Sequence, residues 1–216
     1  MPRFMKTVTL ILLFILVLPA HLAATEPPVQ LDFAACKDNV AIDTFLRKAS
    51  PLYSAMARIV EFRGGYTISD RKGISGGQWN AAERTIELNP MLAGAHRASI
   101  VAFEMTNAFQ ERLHKEVDLA VVAGEITTKT EFALRHELLE YDGLRLHREI
   151  LVEIETHLGK IPSEFFFVSN PKPDTVAKYQ LPLVMDFLKE MNASGHTASY
   201  YQWFENQKKQ APNLDK

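Results

Sequence analysis

The chain has one cysteine, Cys36, among 216 residues, and its charges nearly cancel. A single cysteine excludes an intrachain disulfide framework and a cysteine-based zinc finger. Lys and Arg number 24 against 26 Asp and Glu, which gives a formal net charge of −2. This balance lacks the basic excess typical of nucleic-acid-binding domains, so we expect no nucleic-acid partner. The chemistry of the chain must therefore come from a local site.

Long apolar runs are also scarce, and the one that stands out lies at the N-terminus. Arg3 and Lys6 precede a mostly apolar segment from Val8 to Leu18, and Pro19 with several alanines follows. This layout predicts a cleaved signal peptide over residues 1–24. The run is shorter than the roughly 20 residues of a membrane-spanning helix, so we expect no stable membrane anchor after cleavage. We therefore expect a periplasmic or secreted protein.

Residues 25–216 are expected to form a single α+β domain, mainly helical with a small Gly-rich β-sheet or hairpin. The segment 66–90 is punctuated by glycine and alternates in polarity, which predicts short strands near 66–69 and 85–88. The caps and apolar spacing predict helices over the remaining segments. These are 39–62 with a junction at Ser50-Pro51, Asn89-Pro90 to about 115, Thr128 to about 158, about 174–191 and about 197–208.

The helix around Ala98–Phe109 is apolar on every side except for one charge, Glu104. A buried carboxylate is costly, and its pKa rises unless it is paired. Glu104 is therefore a candidate site residue. The alternative is a structural ion pair with an arginine such as Arg97 or Arg58.

The next long helix carries polar residues within its apolar face. His136, Glu140, Gly143 and His147 fall in that stripe at about 100° per residue. His136 and Glu140 are one turn apart, close enough to share a proton or a metal ion. His147 lies about 10 Å further along the axis than Glu140, so we expect a hydrogen-bonded core histidine there. Glu137 is expected on the polar side.

Three segments together resemble the zincin-like metallopeptidase families. They are the strand Ile86–Asn89, the helix Val101–Gln110 and the segment Leu139–Gly143. The resemblance implies a metallopeptidase-like core over about 40–158, followed by C-terminal helices over about 174–208. It also implies Glu104 as the general base and Glu140 as a third metal ligand.

The sequence departs from the family motif at the two histidines that hold zinc. The segment Phe103-Glu104-Met105-Thr106-Asn107 has Phe103 and Asn107 at those positions. Phenylalanine cannot bind a metal, and asparagine is a poor zinc ligand. The resemblance therefore implies a degenerate peptidase with a vestigial base, Glu104, and no metal cofactor. Its expected cleft residues are Phe103, Asn107, His136, Glu140 and His147.

An exported pseudo-peptidase of this kind would act by binding a protein or peptide. An immunity or inhibitor protein that binds a secreted effector or a related peptidase is one example. The alternative is an active metal-dependent peptidase or amidase with zinc on Glu104, His136 and Glu140. In a variant of that reading, His136–Glu140 forms an H-E-x-x-E motif with Glu137 as base. An orphan helical domain is a third hypothesis. The aromatic cluster Tyr200–Phe204 is expected to pack in the core, while an exposed aromatic patch there would suit protein recognition.

Overall fold

The structure is a computed structural model that describes residues 36–166 and 173–210. The predicted signal peptide lies outside these residues. The described chain begins with α1 (Asn39–Ala49) and α2 (Pro51–Phe62). Ser50 separates them: its Oγ accepts a hydrogen bond from the backbone N–H of Tyr53, and proline occupies the first position of α2. The predicted helix junction is confirmed, because a cap and a proline act locally.

Three strands form one small sheet: β1 (Thr67–Asp70), β2 (Gly77–Asn80) and β3 (Thr85–Leu88). The strand order is β1-β3-β2, with β1 parallel and β2 antiparallel to the central β3. The predicted α+β class is confirmed, and the Gly-rich hairpin is the β2–β3 pair. β2 lies at one edge of this sheet, with α3 packed beside it.

The long helix α3 spans Gly94–Val122, so its predicted start at Asn89-Pro90 and its end near residue 115 are wrong. Asn89 does not cap this helix. Its Oδ1 accepts from the backbone N–H of Met91, and its Nδ2 donates to the backbone carbonyl of Ile74. The asparagine therefore stabilises a loop that precedes the helix. The C-terminal end extends further because Val117 and Val121 are buried.

The second long helix, α4, spans Lys129–Leu158. Thr128 caps its start by accepting from the backbone N–H of Glu131, and Gly159 ends it with φ at 75°. Both predicted boundaries are confirmed, since a left-handed glycine and a threonine cap are local signals. α3 and α4 pack along one another.

The predicted helix over about 174–191 is wrong. A 3₁₀ turn at Val176–Lys178 is followed by an extended segment, and α5 begins only at Val184 and ends at Ser194. Pro182 interrupts the helical pattern because it has no N–H and restricts the residue before it. The last helix, α6, spans His196–Gln210, close to its predicted range.

In the described part of the chain, buried apolar side chains form two clusters. The larger joins α1, α2 and β3 to the first half of α3 and the second half of α4. The smaller joins the end of α3 and the start of α4 to α6. The middle of α3 and the middle of α4 lie between these clusters, and their polar residues meet there. None of the helices in these described residues is long and apolar enough to cross a membrane.

Candidate functional site

A cleft of about 660 Å³ opens where β2, α3, α4 and α6 meet. Each element contributes at least one side chain that can bind a ligand by charge, hydrogen bonding or ring stacking. The residues that matter most for its chemistry are Trp79, Phe103, Glu104, Asn107, Glu140 and Tyr200. The predicted vestigial base Glu104 and three of the predicted cleft residues, Phe103, Asn107 and Glu140, therefore lie in one place.

Glu104 is almost completely buried on α3, with 5% of its surface exposed. Its Oε2 accepts a hydrogen bond of 3.0 Å from Nδ2 of Asn107, and the backbone N–H of Trp79 also donates to it. Burial, followed by the charge of Glu140, raises the pKa of Glu104 to about 8. The carboxyl is therefore largely protonated at neutral pH.

The alternative ion pair between Glu104 and Arg97 does not form. The Arg97 guanidinium instead donates to Asn39 and to Asp70, which lies on β1 at the opposite edge of the sheet from β2. No lysine or arginine of the described ranges forms an ion pair with Glu104 or with Glu140. The buried carboxyl of Glu104 is thus hydrogen-bonded but not neutralised by a cation.

Glu140 reaches the same cleft from α4. Its Oε1 accepts a hydrogen bond of 3.0 Å from the hydroxyl of Tyr200. Burial raises the pKa of Glu140, while His196 and the Tyr200 hydrogen bond act in the opposite direction. The two carboxyls are close enough for the charge of Glu140 to disfavour ionisation of Glu104.

His136 does not join the two carboxyls, so its predicted place in the cleft is wrong. The ring is completely buried, and its Nδ1 lies 2.7 Å from Nδ1 of His114. Its Nε2 lies 3.4 Å from Oδ1 of Asp118. The rings of Tyr200 and Trp203 stack on it at centroid distances of 4.6 and 4.9 Å. His136 therefore supports the wall of the cleft from behind.

The metal set Glu104, His136 and Glu140 is consequently not assembled. Within residues 36–166 and 173–210, no group of three or more His, Cys, Asp or Glu side chains is placed to hold a metal ion. The structure also differs from the H-E-x-x-E hypothesis, because Glu137 is buried rather than exposed on the polar side of α4. Its carboxylate accepts from Nδ1 of His196 at 3.1 Å and from Oγ1 of Thr197 at 2.9 Å.

The Glu137–His196 pair orients an imidazole at the mouth of the cleft. The hydrogen bond to Glu137 raises the pKa of His196 above its usual value, against the opposing effect of burial. The sequence of α4 cannot reveal this partner, since it comes from α6, some sixty residues further along the chain. The prediction that Glu137 lies on the polar side is therefore wrong because a tertiary contact with α6 buries it.

Comparison with known proteins gives no match: no family model, curated protein or solved structure corresponds to this chain.

His147 lies behind the cleft and not in it, so its predicted membership of the cleft is wrong. The hydroxyl of Ser99 donates to the backbone carbonyl of Phe165 at 2.6 Å, and Nε2 of His147 lies 3.1 Å from the same hydroxyl oxygen. Because the one hydroxyl proton goes to the carbonyl, His147 must donate. Burial lowers its pKa to about 3, so the ring is neutral. The expected hydrogen-bonded core histidine is confirmed.

Three residues that line the cleft are not among the site residues predicted from the sequence. His196, Tyr200 and Trp203 form one face of α6 at helical spacing, and all three line the cleft. Tyr200 and Phe204 are also buried as expected, but Tyr200 additionally serves Glu140.

Proposed function

We propose that this protein is an exported, zincin-like pseudo-peptidase that binds a protein or peptide segment in the cleft. The observation that carries the proposal is the meeting of Phe103, Glu104, Asn107 and Glu140 in one cavity. These are the motif positions that the family resemblance assigns to two zinc ligands, the base and the third ligand. A peptidase cleft that lacks its histidines retains shape and hydrogen-bonding groups while losing the means to activate water.

The neighbouring strand supports a polypeptide as the ligand. β2 is an edge strand of the described sheet, and Gly77, Gln78 and Trp79 border the cleft. An edge strand offers backbone donors and acceptors to an extended peptide, and adjacent pockets take its alternate side chains. The aromatic rings of Tyr200 and Trp203 provide the kind of contact that dominates binding energy in protein interfaces.

The signal-like segment predicted at residues 1–24 supports a location in the periplasm or outside the cell. A partner in that compartment would be a secreted effector or a related peptidase, which the protein would bind as an immunity or inhibitor protein. The binding segment of that partner would enter the cleft in extended form along β2.

Selection from a random-peptide display library on the chain starting at residue 25 tests the proposal. Ala82 is exposed at the cleft rim, so Ala82→Trp should fill the opening without disturbing the core. We expect the selected peptides to lose at least roughly tenfold in affinity for this variant. The matched control is Ala193→Trp, on an exposed position of α5 outside the cleft, which should bind normally. No selected peptides, or equal binding to both variants, overturns the proposal.

The alternative function, a metal-dependent peptidase or amidase, is tested on the same protein. Stoichiometric zinc that survives dialysis and is lost in Glu140→Gln would favour the enzyme. We expect less than one tenth of an equivalent of zinc and no zinc-dependent cleavage of the selected peptides, as roughly follows from losing two of three ligands.

A further inference from the structure

Two acidic side chains of the cleft form no ion pair with a lysine or arginine of the described residues. Glu104 and Glu140 both lie at the floor, and their described partners are neutral donors, Asn107 and Tyr200. Buried charge is normally paired with a cation. In this cleft a retained proton takes that place, because the pKa of Glu104 is raised to about 8 by burial and by Glu140.

The other charged groups that face the cleft leave this imbalance in place. His196 is paired with Glu137 and also lowers the pKa of Glu140, so one imidazole faces two carboxyls. Glu111 is paired with Arg84. Asp118 adds further negative charge, and Lys115 is the lysine that lines the opening. The pKa of His114 is lowered to about 3 by burial and by His136, so this ring is neutral.

Aromatic side chains form walls of the same cleft: Trp79 from β2, Phe103 from α3, and Tyr200 and Trp203 from α6. The chain already places one cation on such a ring, since the Arg84 guanidinium lies 5.5 Å from the centroid of Trp79. Aromatic faces attract cations through the ring quadrupole, and they also pack against the methylene stems of lysine and arginine. An acidic floor beneath aromatic walls therefore favours one ligand chemistry over neutral or anionic ones.

We propose that the cleft recognises a cationic side chain of its partner, a lysine ammonium or an arginine guanidinium that passes between the aromatic walls and pairs with Glu104 and Glu140. This inference rests on the proposed function and names the side chain that the bound polypeptide must present. Binding replaces the proton held by the carboxyl pair, so the cation enters as that proton leaves to solvent.

Three blocked amino acids test the inference: the N-acetyl, N-methylamide derivatives of lysine, arginine and norleucine. The chain has two tryptophans, Trp79 and Trp203, and both line the cleft. Intrinsic tryptophan fluorescence therefore reports on this site. We expect dissociation constants for the lysine and arginine compounds at least about tenfold lower than for the norleucine compound. Calorimetry at pH 7 in two buffers of different ionisation enthalpy should detect proton release with the cations and none with norleucine.

Variants of the two cleft carboxyls test whether these residues produce the preference for cations. Glu104→Gln preserves the shape of the side chain and keeps one acceptor oxygen for Asn107 but cannot carry the charge, so proton release should disappear and the preference for cations should fall to below about threefold. Glu140→Gln should act in the same direction. Glu205→Gln, on an exposed position of α6, is the control and should behave as the wild type. Equal affinity for lysine and norleucine, absence of binding by every probe, or an unchanged preference in both cleft variants overturns the inference.

The two proposals fail in distinguishable ways. If display yields peptides that Ala82→Trp excludes, while the lysine and norleucine compounds bind equally, only the cation inference fails. If the cations bind preferentially but no peptide is selected, the proposed function fails, and the cleft is left as a site for small cationic molecules.

Discussion

Nδ2 of Asn107 donates a hydrogen bond of 3.0 Å to Oε2 of Glu104, one turn earlier on the same helix. In the motif that this helix resembles, position 107 holds a metal. Here the Asn107 amide donates to the neighbouring carboxyl instead, while its own Oδ1 is buried in the cleft without a hydrogen-bond partner among the described residues. This contact helps to hold the Glu104 carboxyl in the cleft.

The raised pKa of Glu104 predicts a stability that falls with pH. A carboxyl whose pKa is about 8 in the folded state and near 4.5 when unfolded binds more protons in the folded protein between those values. Stability therefore decreases as pH rises from about 5 to 8. Glu104→Gln removes this pH dependence. The free energy of unfolding of the variant, relative to that of the wild type, should therefore rise by on the order of 2 kcal/mol from pH 5 to pH 7.

Urea unfolding at pH 5, 6 and 7 measures this difference, with Glu205→Gln as the control at an exposed position. A difference between Glu104→Gln and the wild type that is constant with pH would contradict the protonated carboxyl.

We predict that any side chain at position 77 destabilises the β2–α3 contact. A Cβ at this position would lie 2.5 Å from Cγ2 of Ile100 and 3.2 Å from Cγ of Glu104. Gly77→Ala should therefore lower the free energy of unfolding by about 1–3 kcal/mol. Gly76→Ala is the matched control, because a Cβ there meets nothing within 4 Å. In an Ile100→Ala background the cost of Gly77→Ala should shrink, and additive costs in this double-mutant cycle would reject the clash.

Restoring the two histidines should restore zinc binding. Phe103 and Asn107 are one turn apart and both line the cleft with Glu140. Phe103→His/Asn107→His is therefore expected to bind one zinc ion with micromolar affinity or better, and each single variant at least roughly tenfold more weakly. Calorimetric zinc titration makes the measurement. Glu140→Gln added to the double variant should weaken binding again, and no gain of zinc affinity would count against the ligand positions.

We predict that the Ser99 hydroxyl contributes more to the free energy of unfolding than an ordinary surface hydroxyl does. It joins Nε2 of His147 to the carbonyl of Phe165 within the core. Ser99→Ala leaves a buried donor and a buried acceptor without this partner, so it should cost about 1–3 kcal/mol. Thr156→Ala removes an exposed hydroxyl that binds only the carbonyl of Val152 and should cost less than about 0.5 kcal/mol. Similar costs for the two variants in thermal unfolding would contradict the network.

The local elements of this fold were largely predictable. Helix boundaries at Ser50-Pro51, at Thr128 and at Gly159 follow from caps, a proline and a glycine that act within a few residues. The strand Thr85–Leu88 was predicted at its observed residues. Asn89 was misread because the same asparagine chemistry that caps helices also stabilises loops.

The candidate site was predicted only in part. The sequence by itself determined that Glu104 would be buried and that Glu140 would lie within an apolar helix face, because the residues around each of them on its helix are apolar. Only the tertiary structure decided what surrounds them. Helix α6 returns across α3 and α4 and brings Tyr200 to Glu140, His196 to Glu137 and aromatic rings to His136. Such contacts join residues some sixty positions apart, and no periodicity within a single helix encodes which of its polar groups a distant helix will cover.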